Sequence, residues 1–224
     1  SNQPKIFEVQ HLSTKNNDGI KVVDDVSFDI KQGEIVGIAG VEGNGQSELL
    51  DMLFGLMKPT KGEIVFKDKT ITDYLPKQLR KEKIAFIPED RYEKGLCQDM
   101  LICDNLIAGY HDDKSIYRYG LLSRRLVNQH AKKLIADYDI RVSHQDGLVS
   151  SLSGGNAQKI IISREFASNP ELLIAAQPTR GVDIGAIEYI HQSILKLQEA
   201  GKSILLISSE LSEVMSLSDR ILVM

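Results

Sequence analysis

"EIVGIAGVEGNGQSELL", residues 34–50, decides the class of fold. Its opening "EIVGIAG" is a near-continuous apolar run, the pattern of a strand buried on both faces of a sheet. A glycine-rich loop follows, and Leu49, Leu50, Leu53, Leu56 and Met57 then recur at helical spacing until Pro59. Strand, glycine loop and helix in that order form the context of a phosphate-binding loop. Gly40, Gly43 and Gly45 permit backbone angles that turn consecutive N–H groups inward as an anion nest. The N-terminus of the following helix adds positive potential. Asn44, Ser47 and Glu48 complete the stretch, with Ser47 at the place whose hydroxyl would ligate magnesium, a weak site at most. The pattern G-x-x-x-x-G-K-[ST] asks for lysine where this chain has Gln46. An amide donates a hydrogen bond but supplies no charge. Charge-assisted hydrogen bonds contribute about 1.5–3 kcal/mol, so phosphate binding should weaken by roughly one to two powers of ten. Read alone, the loop also fits a tight strand-to-helix turn with no ligand.

Working outward, "VSFDIK" (26–31) alternates apolar and polar residues, which suits a half-exposed strand of an antiparallel sheet. "GEIVFKDK" (62–69) reads as another surface strand, and "KIAFIPED" (83–90) as a buried strand stopped by a proline. Buried strands return at "ELLIAA" (171–176), "SILLIS" (203–208) and "RILVM" (220–224). Between the first two, Ile187, Ile190, Ile194 and Leu197 share one face of a helix. The segment 96–150 carries amphipathic helix patterns, such as Val127, Leu134 and Tyr138, and few strand signals. The expectation is an α/β core with an antiparallel sheet near the N-terminus and a helical insertion. Core and β subdomain should cover about 1–95 and 160–224, and the helical subdomain about 96–160.

At 224 residues the chain fits one large domain or two small ones, and its 42% hydrophobic and 26% charged content is that of a soluble globular protein. No run approaches the roughly 18 apolar residues of a membrane span. A net charge of −4 argues against non-specific nucleic-acid binding, so "KQLRKEK" (77–83) reads as solvated surface. Cys97 and Cys103 are too far apart for a C-x-x-C pair and suit reduced cytoplasmic thiols. The histidines are scattered, "HDD" (111–113) reads as a polar loop, and no metal site is expected. Ser1-Asn2 reads as an expression remnant, and "SDRILVM" (218–224) stops inside a strand pattern, as expected of a piece of a longer protein.

A phosphate site of this kind normally has carboxylates where a buried strand ends, to hold magnesium and polarise a water. "LLIAAQPTRGVD" (172–183) offers Ala176 and Gln177 there. Upstream, "SLSGGNAQK" (151–159) places Ser153 as a helix N-cap, with Gly154 and Gly155 leaving backbone N–H groups open and Asn156 behind them. An isolated Ser-Gly-Gly is an ordinary helix start. Its distance to a buried strand ending in "QPTRGVD", the phosphate loop and a last strand reading "LLISSELSEV" (205–214) make a more specific set. Together they closely resemble the ATP-binding-cassette (ABC) ATPase family over nearly the whole chain. The resemblance implies a P-loop NTPase fold of the ABC-ATPase type. That is a RecA-like, mostly parallel sheet core with an N-terminal antiparallel β subdomain and a helical subdomain insertion. "LSGGNAQK" and "IPEDRYEKGL" (87–96) are similar to importers of monosaccharides and nucleosides, which carry two fused cassettes. "GVEGNGQSE" (40–48) and "AAQPTRGVD" (175–183) resemble the second cassette, most closely in the nucleoside branch.

Carried over residue by residue, the family's phosphate-loop lysine falls at Gln46, its magnesium-ordering aspartate at Ala176, its catalytic glutamate at Gln177 and its switch histidine at Ser209. The glutamine loop aligns with Glu89, and the aromatic that stacks on adenine should lie near Asn16 or Asn17, where none occurs. Ser153, Gly154 and Gly155 of the signature and Asp183 of the dimer-interface loop are retained. Loss of a general base alone costs about 10²–10⁴ in rate. Hydrolysis at this chain's own loop should therefore be negligible, with ATP and Mg²⁺ held in a partner cassette's site instead. The implied partners are an N-terminal cassette of the same polypeptide, transmembrane permease subunits and, indirectly, an extracellular solute-binding lipoprotein. The implied location is the cytoplasmic face of the plasma membrane, with no nucleic acid involved. Two other readings stand beside this one. The first is an independent soluble ABC-type ATPase, which needs intact catalytic residues. The second is a cassette that holds ATP structurally without hydrolysis.

Overall fold

Alternation builds the first sheet. The computed structural model describes residues 3–16, 18–40 and 43–224; Ser1-Asn2, Asn17 and the Val41-Glu42 part of the glycine loop lie outside the described residues. In β2 (Lys21–Lys31) Val23, Phe28 and Ile30 turn inward. β1 (Lys5–Lys15) pairs antiparallel with it, Val9 opposite Phe28, and on its other side with β4 (Lys61–Phe66). With β5 (Lys69–Thr70) the order is β2-β1-β4-β5. The sequence pattern gives no expectation for β1, because register shifts between Val9 and Leu12 and a left-handed His11 (φ 51) break its period.

The second sheet has the order β11-β3-β10-β9-β6. Its members are β3 (Ile35–Ala39), β6 (Ile84–Ile87), β9 (Leu172–Ala176), β10 (Ser203–Ser208) and β11 (Arg220–Val223). β3, β9 and β10 are buried along their whole length, as continuous apolar runs require in a parallel sheet. Ser208 pairs with Ala39, and Ile207 with both Ile38 and Ala176. The three strands therefore end level, delivering Gly40, Gln177 and Ser209 to one carboxyl edge, where open α/β sheets bind ligands.

Two expectations need correction. "RILVM" is not a buried strand: β11 takes the edge of the sheet, pairs in parallel with β3, and alternates until Val223 is 83% exposed. The helix after the glycine loop, α1 (Gln46–Leu53), stops before Leu56 and Met57. Gly55, at φ 72, ends it, and the Leu56 and Met57 N–H groups both close on Asp51 O.

The chain divides into two compact units. The first comprises Ser1–Phe86, Glu171–Gln177 and His191–Met224. It holds the strands above, α1, α2 (Pro76–Lys81) and α7 (Leu211–Leu217), around a core that includes Leu12, Ile30, Ile38, Leu49, Met52 and Phe66. α2 buries only Leu79; Lys77 and Lys81 are exposed, while Arg80 is half-buried with its guanidinium over the Phe86 ring. The second unit comprises Ile87–Pro170 and Pro178–Ile190. It contains α3 (Ile102–Asn105), a small hairpin of β7 (Tyr117–Arg118) and β8 (Leu121–Leu122), α4 (Arg124–Asp137) and α5 (Gly154–Ala167). Val127, Ala131 and Leu134 form the buried face of α4, while Tyr138 lies just past its end. α6 (Ile184–Glu199) begins in this unit and runs into the first, with Ala186, Ile190 and Ile194 buried. Among the described residues, no helix is long and apolar enough to cross a membrane.

Candidate functional site

The phosphate loop and the strand ends that face it belong to the first unit. Gly45 caps α1 in a left-handed conformation (φ 85), and a Cβ there would lie 2.0 Å from Val22 O. Only glycine can start this helix at this distance from the neighbouring strand. Gly43 is likewise left-handed (φ 93), one of the conformations from which an anion nest is built. Gln46 turns its side chain back over Gly40, where an added Cβ would meet Gln46 Nε2 at 2.2 Å. That side chain is 6% exposed, and Nε2 is buried without a hydrogen-bond partner among the described residues. Asn44 Nδ2 donates to Met224 O (3.3 Å), Ser47 is exposed, and Glu48 places a carboxylate in the first turn. The nest thus offers N–H dipoles and one orphaned amide, a fit for an anion. Toward magnesium the fit is poor: Ser47 offers one hydroxyl, and Ala176 and Gln177 add no carboxylate.

Ala176 and Gln177 end β9. Ala176 is fully buried opposite Ile207. Gln177 takes a left-handed backbone (φ 46), donates its N–H to Ile207 O (2.7 Å) and is 7% exposed. Its Oε1 accepts from Ser209 N (3.1 Å) and from Ser209 Oγ (3.2 Å). The two positions where the family resemblance expects a general base and a switch histidine are therefore bonded to each other as a neutral pair. The sequence alone gives no sign of this pairing, although glutamine and serine are complementary hydrogen-bonding partners. Asn16, near the expected adenine-stacking position, spends its side chain on a turn, accepting from Asp18 N and Ile20 N.

The signature belongs to the second unit. Ser153 caps α5, its Oγ accepting from Asn156 N (3.3 Å) and Asn156 Nδ2 (3.0 Å). With two donors already on its oxygen, the hydroxyl proton is left for an outside acceptor. Asn156 is itself fixed, its Oδ1 accepting from Arg141 N (2.9 Å). Gly154 and Gly155 occupy the first turn, where helical N–H groups lack intrahelical partners. Space is tight at both, most so at Gly154. A Cβ on Gly154 would lie 2.8 Å from Gly181 O, and one on Gly155 3.0 Å from Asp183 Oδ2 and from Ala186 Cβ. Asp183 Oδ1 accepts from Ala186 N (2.9 Å) at the start of α6. Signature turn and interface loop thus pack directly, beside a polar cavity of about 410 Å³ lined by Ser153, Asn156, Lys159, Asp183 and Tyr189 among others.

Glu89, the expected glutamine-loop residue, is half-buried after Pro88. Asp90 accepts from Glu93 N (3.0 Å) and Tyr92 N (2.9 Å), and those N–H groups hold its carboxyl below the usual carboxylate range. Arg91, next in line, bonds the interface loop, a contact the sequence reading did not anticipate.

A β-sheet edge carrying a glycine nest, and a separate glycine-capped helix start packed on an aspartate loop, define the ABC-ATPase type of P-loop fold. Solved structures agree. A nucleotide-free ATP-binding cassette from an ABC transporter superposes with a TM-score of 0.82 at 24% identity, covering 99% of this chain and 88% of that one. The dimeric structure of MJ0796, a bacterial ABC transporter cassette, gives a TM-score of 0.82 at 26% identity over 98% of this chain and 94% of the other. The profile of the ABC transporter family matches residues 23–180, and the chain belongs to that family. Among curated relatives, the nucleoside import ATP-binding protein NupA of Lactococcus lactis subsp. cremoris is 42% identical over 99% of this chain and 44% of its own length. The guanosine import ATP-binding protein NupO of Bacillus subtilis is 43% identical (98% and 43%). The ribose import ATP-binding protein RbsA of Lactococcus lactis subsp. lactis is 36% identical (98% and 43%). The chain therefore spans less than half the length of these relatives.

Proposed function

We propose that this chain is the second, degenerate cassette of a fused two-cassette importer for nucleosides or simple sugars. It lends its signature to ATP bound by the first cassette and hydrolyses none at its own loop. The observation that carries this reading is the contrast between the two constellations. At its own strand ends the chain holds a neutral Gln177–Ser209 pair beside Ala176, with an uncharged Gln46 in the loop. At the signature, Ser153 keeps a hydroxyl proton available above the open N–H groups of Gly154 and Gly155. Such dipoles, fixed before the reaction, stabilise the charge that develops on a transferring phosphoryl group. The relatives named above support the cargo class and, by their length, the fused arrangement. On this reading the core and β subdomain (about 1–95 and 160–224) carry the degenerate site, and the helical subdomain (about 96–160) faces permease subunits together with Glu89 and its neighbours. An extracellular solute-binding lipoprotein acts with them indirectly, and the protein sits at the cytoplasmic face of the plasma membrane.

Replacing Ser153, which is exposed, by phenylalanine in the intact transporter should abolish ATP turnover although no residue of the hydrolysing site has changed. Undiminished turnover would refute the reading. One observation favours a second role for the chain's own loop: the buried Gln46 Nε2 lacks an acceptor among the described residues, and a phosphate oxygen would supply one. Structural retention of ATP without hydrolysis is compatible with the first role. Calorimetry with ATP on the purified chain separates a filled loop from an empty one.

A further inference from the structure

Three carbonyls of the loop after Gln177 are held by two side chains from elsewhere in the second unit. Arg91 opens the π-helical turn Arg91–Gly95, directly after the Pro88-Glu89-Asp90 corner. Its Nη2 donates to Arg180 O, its Nη1 to Gly181 O (3.4 Å), and its Nε to Gln158 Oε1 (3.3 Å). Gln158, 1% exposed on α5, passes the contact on, with Nε2 donating to Pro178 O (2.7 Å). Gly181 is left-handed (φ 65), and its carbonyl is the atom that a Cβ on Gly154 would strike. Arg91 Nη1 lies 3.3 Å from that same Cβ position. One guanidinium thus touches the interface loop, α5 and the first glycine of the signature.

The need for such a clamp is physical. A loop at residues 178–183 has no ladder to fix its carbonyls, and Gly181 is the residue with the most backbone freedom. A planar guanidinium presents donors in a rigid fork, so it can set two adjacent carbonyls in one plane; an ammonium's three donors rotate on a flexible stem and impose no such plane. We propose that Arg91 is a positioning residue that locks the 178–183 loop onto the signature turn. Ser153, Gly154, Gly155 and Asp183 are thereby presented to the partner cassette's nucleotide as one preformed surface. The inference rests on the proposed role of the signature in the partner's ATP site.

The test uses the intact transporter with Arg91→Ala, Arg91→Lys and Ser153→Phe measured side by side. Arg91→Ala should lower kcat for ATP about 10²-fold, the cost of a misplacement near 1 Å. It should leave KM, which is set at the partner's phosphate loop, unchanged. Arg91→Lys should recover part of kcat. Hydrogen exchange at residues 180–183 should quicken in Arg91→Ala while the interior of α5 stays protected. If Arg91→Ala loosens the whole second unit, Arg91→Lys decides: reduced kcat with local exchange supports the clamp, and full kcat overturns it. Normal turnover in Arg91→Ala, with Ser153→Phe inactive, overturns the clamp and leaves the signature's role standing. Normal turnover in Ser153→Phe places the failure in that underlying role.

Discussion

Gln177 ends β9 with a neutral amide, in left-handed backbone (φ 46), where the family resemblance places a glutamate. An amide keeps the shape of a glutamate but exchanges a base for a hydrogen-bond acceptor that takes no proton near neutral pH. Here that acceptor is already occupied twice, by Ser209 N and Ser209 Oγ. Gln46 is the counterpart on the loop: it keeps a donor and loses the charge. Gln46→Lys should therefore tighten ATP binding by about one to two powers of ten, as the gain from a charge-assisted bond implies. It should add no turnover, because Ala176 and Gln177 are untouched. Calorimetry paired with a phosphate assay on the variant checks both halves. The sequence proposes roles for these residues through motif spacing, which aligns each with a position of the family pattern. The bond between Gln177 and Ser209 was not legible, since it depends on β9 and β10 ending level, which only the register reveals.

At the scale of elements, the strand-loop-helix unit was readable because its apolar run, glycines and helical spacing lie consecutively in the chain. What the sequence hid were elements whose pattern is set by neighbours. β1 loses its alternation where the ladder shifts around His11, and β11 has an apolar sequence but an edge position. Arg91 shows no role in the sequence, because its acceptors lie some 90 residues away, at Arg180 and Gly181. Gly45 carries the sharpest prediction at this scale. Gly45→Ala forces a side chain into left-handed backbone and within 2.0 Å of Val22 O. The variant should be destabilised by at least the roughly 1–3 kcal/mol typical of such backbone strain, read as a lower urea midpoint with an unchanged slope.

Across the whole chain, the groups missing from the nucleotide edge and those kept at the signature fall in different compact units, each with its own internal bonding. On the proposed reading, that separation would let one constellation lose its chemistry while the other keeps its geometry. The chain spans less than half the length of the curated relatives it matches. The most direct measurement is phosphate release from the purified chain supplied with ATP and magnesium. The account predicts a rate indistinguishable from buffer. Sustained magnesium-dependent release that disappears when Gln46 or Gln177 is changed would contradict it.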